Sequence, residues 1–230
     1  AYVTGLRCCI PEHKVNLAPF LIDKHEVTNR EFARFLDATQ SVTPEWKSAY
    51  RKRIWGEAAA PDPARLDWPV VRIDYDVACD YAAWRGARLP LEEELEFLGR
   101  GHSKTERPAG WDLAKLAEQP LHAVGADPLD HALPPYESIV DVYGNAGEIT
   151  LLRYRWYNRS RLEPRLDEAS GIAYVVRGGW ASDLQARTFF NLGSIRRGLI
   201  LPAVHAPTIG FRCARSVTPR FPIEEVPHAN

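Results

Sequence analysis

The sequence predicts an α+β fold of short elements and long connections, held in one domain over residues 1–230. Three observations lead there. Helix-start chemistry stands in front of apolar stripes in the first hundred residues. Beyond them, 18 prolines and 15 glycines cut the chain into short apolar runs of strand length. A chain of 230 residues can still form one core, because loop-rich single domains reach roughly 200–250 residues before they split.

Taken in order, Phe20-Leu21-Ile22 reads as the first strand. Thr28-Asn29-Arg30-Glu31 then forms a capping box, in which the Thr hydroxyl and the Glu carboxylate satisfy amides that a helix start leaves open. Phe32, Phe35 and Leu36 follow at i, i+3 and i+4 and give that helix one apolar stripe. Val70-Val71-Arg72-Ile73 reads as a strand. A second helix is predicted over Asp76 to Arg85, with Val77, Tyr81 and Trp84 about one turn apart and Gly86 closing it. A third starts after Pro90, where Glu92, Glu93 and Glu94 suit the positive end of the helix dipole and Leu95 and Leu98 (with Phe97 beside them) turn inward. Gly101 to Pro135 reads as irregular apart from a short helix near 112–118, and Tyr174-Val175-Val176 and Phe211-Arg212-Cys213-Ala214 read as strands. The seven Trp residues are expected mostly in the core.

Composition narrows the function. A net charge of −1 offers no electrostatic footprint for nucleic acid or an anionic membrane surface. No apolar stretch approaches the roughly 20 residues that cross a bilayer, so membrane insertion is not expected. No signal peptide is read at Ala1-Tyr2-Val3, which opens without Met. The four cysteines, Cys8, Cys9, Cys79 and Cys213, show no zinc-ligand spacing. The seven histidines are scattered and form no metal-binding pair, so no redox metal centre is read.

Ordered motifs then carry a resemblance. They are Glu26-Val27-Thr28-Asn29, Ala82-Ala83-Trp84-Arg85-Gly86-Ala87-Arg88-Leu89-Pro90, Asp141-Val142-Tyr143-Gly144-Asn145-Ala146-Gly147-Glu148, Val176-Arg177-Gly178-Gly179-Trp180 and Gly210-Phe211-Arg212-Cys213. In this order, over about 200 residues, they resemble the formylglycine-generating-enzyme (sulfatase-modifying-factor) superfamily. The fold that this implies is a loop-rich C-type-lectin-like domain.

The resemblance carries further expectations. It implies one Ca²⁺ site, with side-chain oxygens from Asp141 and Glu148 and carbonyls from Gly144 and Ala146. That donor set suits a hard cation, although the same run also reads as an ordinary polar turn with Asn145 left-handed. It implies a Cys213 bridge to the second helix, where Cys79 is the available thiol. In the enzyme, two cysteines shortly after Arg-Gly-Gly bind copper and activate oxygen. Here Trp180 to Ser194 holds no cysteine, and no hydrocarbon replaces a thiolate ligand, so no catalytic residue is assigned and formylglycine generation is excluded. Arg177, Arg212 and Glu26 read as structural, with the arginines bonding loop carbonyls and carboxylates.

The expected working surface is C-terminal. Leu199, Ile200, Leu201 and Val204 make an apolar run where relatives tend to be polar, and such a run marks a binding surface or tucks into the core. Trp180, Ser182, Asp183, Phe189, Phe190 and Asn191 complete the candidate ligand-binding set. From Ala181 to Val217 there is no Lys, Glu, Met or Trp, a composition compatible with a retroelement-diversified region. The function expected is therefore a non-catalytic, calcium-binding recognition module for a protein or other macromolecular ligand. It would be either a retroelement-diversified display protein or a regulator of bacterial kinase and type VI secretion signalling. The alternative is a periplasmic tailoring enzyme of pyoverdine-chromophore type. A periplasmic or other extracytoplasmic location is preferred.

Overall fold

A computed structural model describes residues 14–100, 120–153, 174–178, 198–200 and 205–217. Strand β1, Phe20–Ile22, opens the described chain and pairs antiparallel with β6, Ala214–Ser216, so that Leu21 lies opposite Arg215. Helix α1, Asn29–Ala38, begins where the capping box places it. The Glu31 amide donates to the Thr28 hydroxyl oxygen at 3.3 Å, and the Thr28 amide donates to Glu31 Oε2 at 2.9 Å. Its stripe of Phe32, Phe35 and Leu36 is buried.

Helix α2, Pro44–Trp55, was not predicted. Its start carries the usual signals, since the Thr43 hydroxyl accepts the Trp46 amide and Pro44 stands at the first turn. What it lacks is an apolar stripe: Tyr50 is its one buried residue. Helices α3, Tyr75–Trp84, and α4, Glu92–Arg100, match the second and third predicted helices within a residue or two. Gly86 follows α3 with φ +64°, a left-handed turn that suits glycine.

The strands were read less well. β2, Gly147–Arg153, β3, Tyr174–Arg177, β4, Gly198–Ile200, and β5, Ile209–Gly210, form a sheet in the order β4-β3-β2-β5. β2 and β5 run parallel and the other neighbours antiparallel. Val70–Ile73 is not a strand: Arg72 has φ +64°, and its amide reaches the carbonyls of Ala206 and Ile209 at 3.2 Å. Of Phe211–Ala214 only Ala214 is in a strand, the first residue of β6, and the residues before it bond to the Asp23–Val27 connection instead.

The core gathers rings and aliphatic chains from both layers. Phe32 stacks on Tyr81 at 5.7 Å and meets Phe211 edge-on at 6.3 Å, with Leu36, Val70, Leu89 and Ile149 around them. The described Trp residues are not core filler. Trp46 is 37% and Trp84 48% exposed, and Trp55 and Trp68 are half-buried. Rings of that size lie on the core here with one face or edge in solvent.

The Cys79–Cys213 bridge is not formed, and both thiols are free. Cys79 is half-buried on α3, whereas the Cys213 amide donates to Asp23 Oδ2 at 3.1 Å and Cys213 lines a hollow with Arg85. Ala82, one turn from Cys79, is buried on the core face of α3 with Val77, Ala78 and Tyr81. Burial pushes the Cys213 thiol well above its usual range and so suppresses the reactive thiolate.

Candidate functional site

The run Asp141–Glu148 crosses from an irregular segment into β2, and its backbone turns twice through the left-handed region. Asp141 has φ +54° and Asn145 φ +59°. Both are residue types that tolerate this conformation at low cost. The Asn145 side chain accepts the His122 amide at 3.1 Å, and Asp141 Oδ2 accepts the Gly125 amide at 2.6 Å. The run is thereby tied to the irregular segment before it. Asp130 braces it from below, its Oδ1 accepting the amides of Val142 and Tyr143 at 2.8 Å each.

Arg212 is the centre of the network. It is 0% exposed. Its Nε donates to Glu148 Oε1 at 2.6 Å, and its Nη2 donates to the carbonyls of Asp141 at 2.7 Å and Val140 at 3.0 Å. One planar guanidinium thus joins β5–β6, the turn and β2, a geometry that a lysine ammonium cannot reproduce. Arg177 does the same beside the Arg-Gly-Gly turn, pairing with Glu92 at 2.9 Å and Glu96 at 3.0 Å on α4. The structural reading of both arginines therefore holds.

Charge and oxygen supply bear on a cation here. Glu26, Asp130, Asp141 and Glu148 are all buried around Arg212. Burial raises Glu26 well above the carboxylate range, and it pushes Asp130 and Glu148 each up to about 7. Three carboxylate oxygens, Glu26 Oε2, Asp130 Oδ2 and Asp141 Oδ1, are buried with no hydrogen-bond partner in the structure. An ionised oxygen in that state is costly, and a bound cation or a proton relieves it. Asp141 thus fits the expected calcium role through its free Oδ1. Glu148 fits it through its second oxygen, since Arg212 holds only Oε1. Among the described residues no three acidic, histidine or cysteine side chains converge tightly enough to clasp a metal by themselves, so backbone oxygens would have to complete the shell.

The other predicted site residues divide. Leu199 and Ile200 stand in β4 opposite Val175 and Tyr174, so this part of the expected loop is a strand at the sheet margin. Trp180, Ser182, Asp183, Phe189, Phe190, Asn191, Leu201 and Val204 lie outside the described residues. The segment after them is anchored by His205, whose Nδ1 is 3.0 Å from Asp74 Oδ1, while Arg53 reaches the same carboxylate. Sequence reasoning did not connect Glu26 to the turn. Its Oε1 accepts the Ala146 amide at 3.2 Å across 120 residues of chain, a pairing that no local pattern signals. A cavity of about 220 Å³ lies elsewhere, lined by Leu21, Asp23, Arg85, Cys213 and Arg215. Its charged groups are already engaged: Arg85 Nη1 donates to Asp23 Oδ2 at 2.8 Å, and Arg215 donates to the carbonyls of Gly86 and Arg85.

Comparisons with known proteins agree with this architecture. The serine/threonine-protein kinase pkn1 of Chlamydia pneumoniae is 30% identical over 94% of this chain, which spans only 36% of that protein's length. The formylglycine-generating enzyme of Thermomonospora curvata is 29% identical over 89% of this chain and 84% of its own. Among solved structures, PvdO from Pseudomonas aeruginosa superposes with a TM-score of 0.59 at 22% identity, covering 86% of this chain and 81% of that one. That likeness establishes the fold alone. The family described as the sulfatase-modifying factor enzyme 1-like domain matches residues 4–217, and with that match across nearly its whole length, the chain belongs to this family.

Proposed function

We propose that this chain is a recognition domain that lacks formylglycine-generating chemistry, uses a bound calcium ion to steady its Asp141–Glu148 turn, and binds a protein or other macromolecular partner through β4 and the C-terminal loops. The observation that carries the reading is chemical. The scaffold around Arg177 is intact, with its carboxylate pair on α4, yet the stretch from Trp180 to Ser194 that follows the Arg-Gly-Gly turn contains no sulfur to hold copper. Asp141 and Glu148, with the carbonyls of Gly144 and Ala146, would hold the calcium. A calcium ion held there would supply charge neutralisation to the buried acids.

Binding in place of catalysis is supported by where the perturbed acids lie. Among the described residues they are buried in the network around the Asp141–Glu148 turn. The apolar run beginning at Leu199 and Ile200 starts on β4, at the margin of the four-stranded sheet. Of the two forms of this reading, the kinase-linked regulator gains support from the similarity to a kinase in which a segment like this chain fills about a third of the length.

Two measurements test it. Purified protein with Cu(I), oxygen and a sulfatase-derived cysteine peptide is expected to yield no aldehyde by mass spectrometry, and formation of Cα-formylglycine would sink the reading. A partner isolated by affinity capture is expected to release when Leu199, Ile200 and Leu201 are changed to Ser and to stay bound when Trp46 is changed to Ser. Equal retention by both variants removes the β4 surface from the proposal.

A further inference from the structure

We propose that the outer edge of β1 is a docking site at which an acidic, extended segment of a partner protein adds as a further strand, separate from the β4 surface and the calcium turn. The ladder between β1 and β6 shows which backbone groups are free for it. In an antiparallel pair, alternate residues turn their amides and carbonyls toward the partner strand, and the residues between turn them away. The Asp23 amide bonds the Cys213 carbonyl at 2.8 Å, and the Val217 amide bonds the Pro19 carbonyl at 3.1 Å. With Leu21 opposite Arg215, these bonds put Pro19, Leu21 and Asp23 on the β6 side. Phe20 and Ile22 therefore face outward. β6 keeps the same alternation, since Ala214 exchanges both of its backbone bonds with Arg88 on its far side, at 2.8 Å each. Along the outer side of β1 the edge closes at the Lys24 carbonyl, which accepts the Val140 amide at 2.7 Å. Before that point it is open: the amides and carbonyls of Phe20 and Ile22 have no backbone partner among the described residues.

An open edge of this kind takes up an extended chain through backbone bonds, and the side chains beside it select which chain. On one face of the ribbon Phe20 meets Phe97 edge-on at 6.5 Å, and Ile22 packs on the cluster that includes Leu98 and Ile139. Leu21 is on the other face, 59% exposed, where it shares the hollow of about 220 Å³ with Asp23, Arg85 and Arg215. Arg85 and Asp23 cancel in charge through their ion pair. Arg215 is bonded but not neutralised. It donates to the carbonyls of Gly86 and Arg85, and it has no carboxylate partner among the described residues. Lys24, exposed just past the strand, has none either. The edge is thus apolar along the strand and positive beside it, which fits a segment that alternates apolar and acidic side chains. A second copy of this chain fits poorly, because pairing β1 with β1 sets two arginines and two lysines of like charge side by side.

The experiment is amide hydrogen exchange resolved by residue with NMR on the purified chain, alone and with a blocked octapeptide of alternating Glu and Val. The matching Lys and Val octapeptide is the control. In the free chain the Leu21 amide, which the alternation places in the ladder, is expected to exchange slowly and those of Phe20 and Ile22 rapidly. The acidic peptide is expected to slow Phe20 and Ile22 by about ten-fold or more, and the basic one to leave them unchanged. Its binding is expected to weaken about three-fold or more in Arg215→Gln. It should be lost in Ile22→Pro, which removes an outward amide and no ladder bond. Should Ile22→Pro not fold, Arg215→Gln and the basic peptide carry the test. Phe20 and Ile22 amides already slow in the dilute free chain would mean that the chain covers this edge itself. Slowing that grows with protein concentration would make a second copy the occupant. Either result overturns the proposal, as does no response to the acidic peptide or an equal response to both.

Discussion

Arg212 gathers several separate parts of this fold. Its bonds reach Glu148, Val140 and Asp141, and weaker contacts run to the carbonyls of Asp23 and Lys24. Arg212→Ala is therefore expected to lower stability by about 3–5 kcal/mol, because Glu148 would be left charged or protonated in a dry site with no partner. Urea unfolding followed by tryptophan fluorescence checks this, and a loss below about 1 kcal/mol would mean that water replaces the guanidinium. Gly210 makes a different demand. A Cβ at that position would stand 2.5 Å from the Val70 carbonyl oxygen, and the obstacle is backbone and not a mobile side chain. Gly210→Ala is expected to cost about 1–3 kcal/mol or to push β5 away from Val70, with a lower melting temperature as the readout. At this scale the sequence was informative about residue type and silent about pairing. The arginines announced themselves as loop clamps and Asn145 as a left-handed turn residue. Glu26 did not announce its position beside Ala146, because that contact is made only when β1 and β2 close on the same core.

Elements whose ends are set by local chemistry were legible. The capping box at Thr28, the closing Gly86 and the acidic start of α4 all depend on residues within a turn of each other, and all three helices form where those signals stand. Thr28→Ala is expected to lose about 1 kcal/mol, since it removes the oxygen that accepts the Glu31 amide. The midpoint of urea unfolding should fall with an unchanged slope, and an unmoved midpoint would mean that packing of Phe32 and Leu36 holds the end of α1 unaided. α2 carries a start signal without a stripe behind it. Thr43-Pro44-Glu45 is a competent start, yet without a stripe the periodicity beyond it gives no helix signal. The strands failed for the opposite reason. Val70–Ile73 has strand-like composition, but the Val70 amide goes to the Val27 carbonyl and the Arg72 amide to those of Ala206 and Ile209, and the left-handed turn at Arg72 breaks the pleat. β2 was hidden because its first residues were read as a cation-binding turn, and they belong to both.

For the molecule as a whole, the buried acids are expected to couple stability to pH and, through the calcium site proposed above, to calcium. Asp130 and Glu148 are each raised to about 7, and Glu26 is raised well above its ordinary value, in every case chiefly by burial. The sign follows from proton counting. Between the ordinary carboxylate range near pH 4 and the folded values near 7, the native state holds protons that the unfolded chain has released. The stabilisation from these groups is therefore complete at the acidic end of that window, and it is lost as pH rises through about 7. In EDTA, the melting temperature is expected to rise by several degrees between pH 8 and pH 5.5, a direction opposite to ordinary acid denaturation. Calcium should flatten or reverse the trend. A cation favours the ionised carboxylates and is itself displaced by protons, so its stabilisation is largest at pH 8 and smallest at pH 5.5. Thermal melts on a grid of pH and free calcium read both effects at once. If stability in EDTA instead falls steadily with acidification, these carboxylates are satisfied as anions in the folded state. The network around Arg212 would then need no cation to complete it.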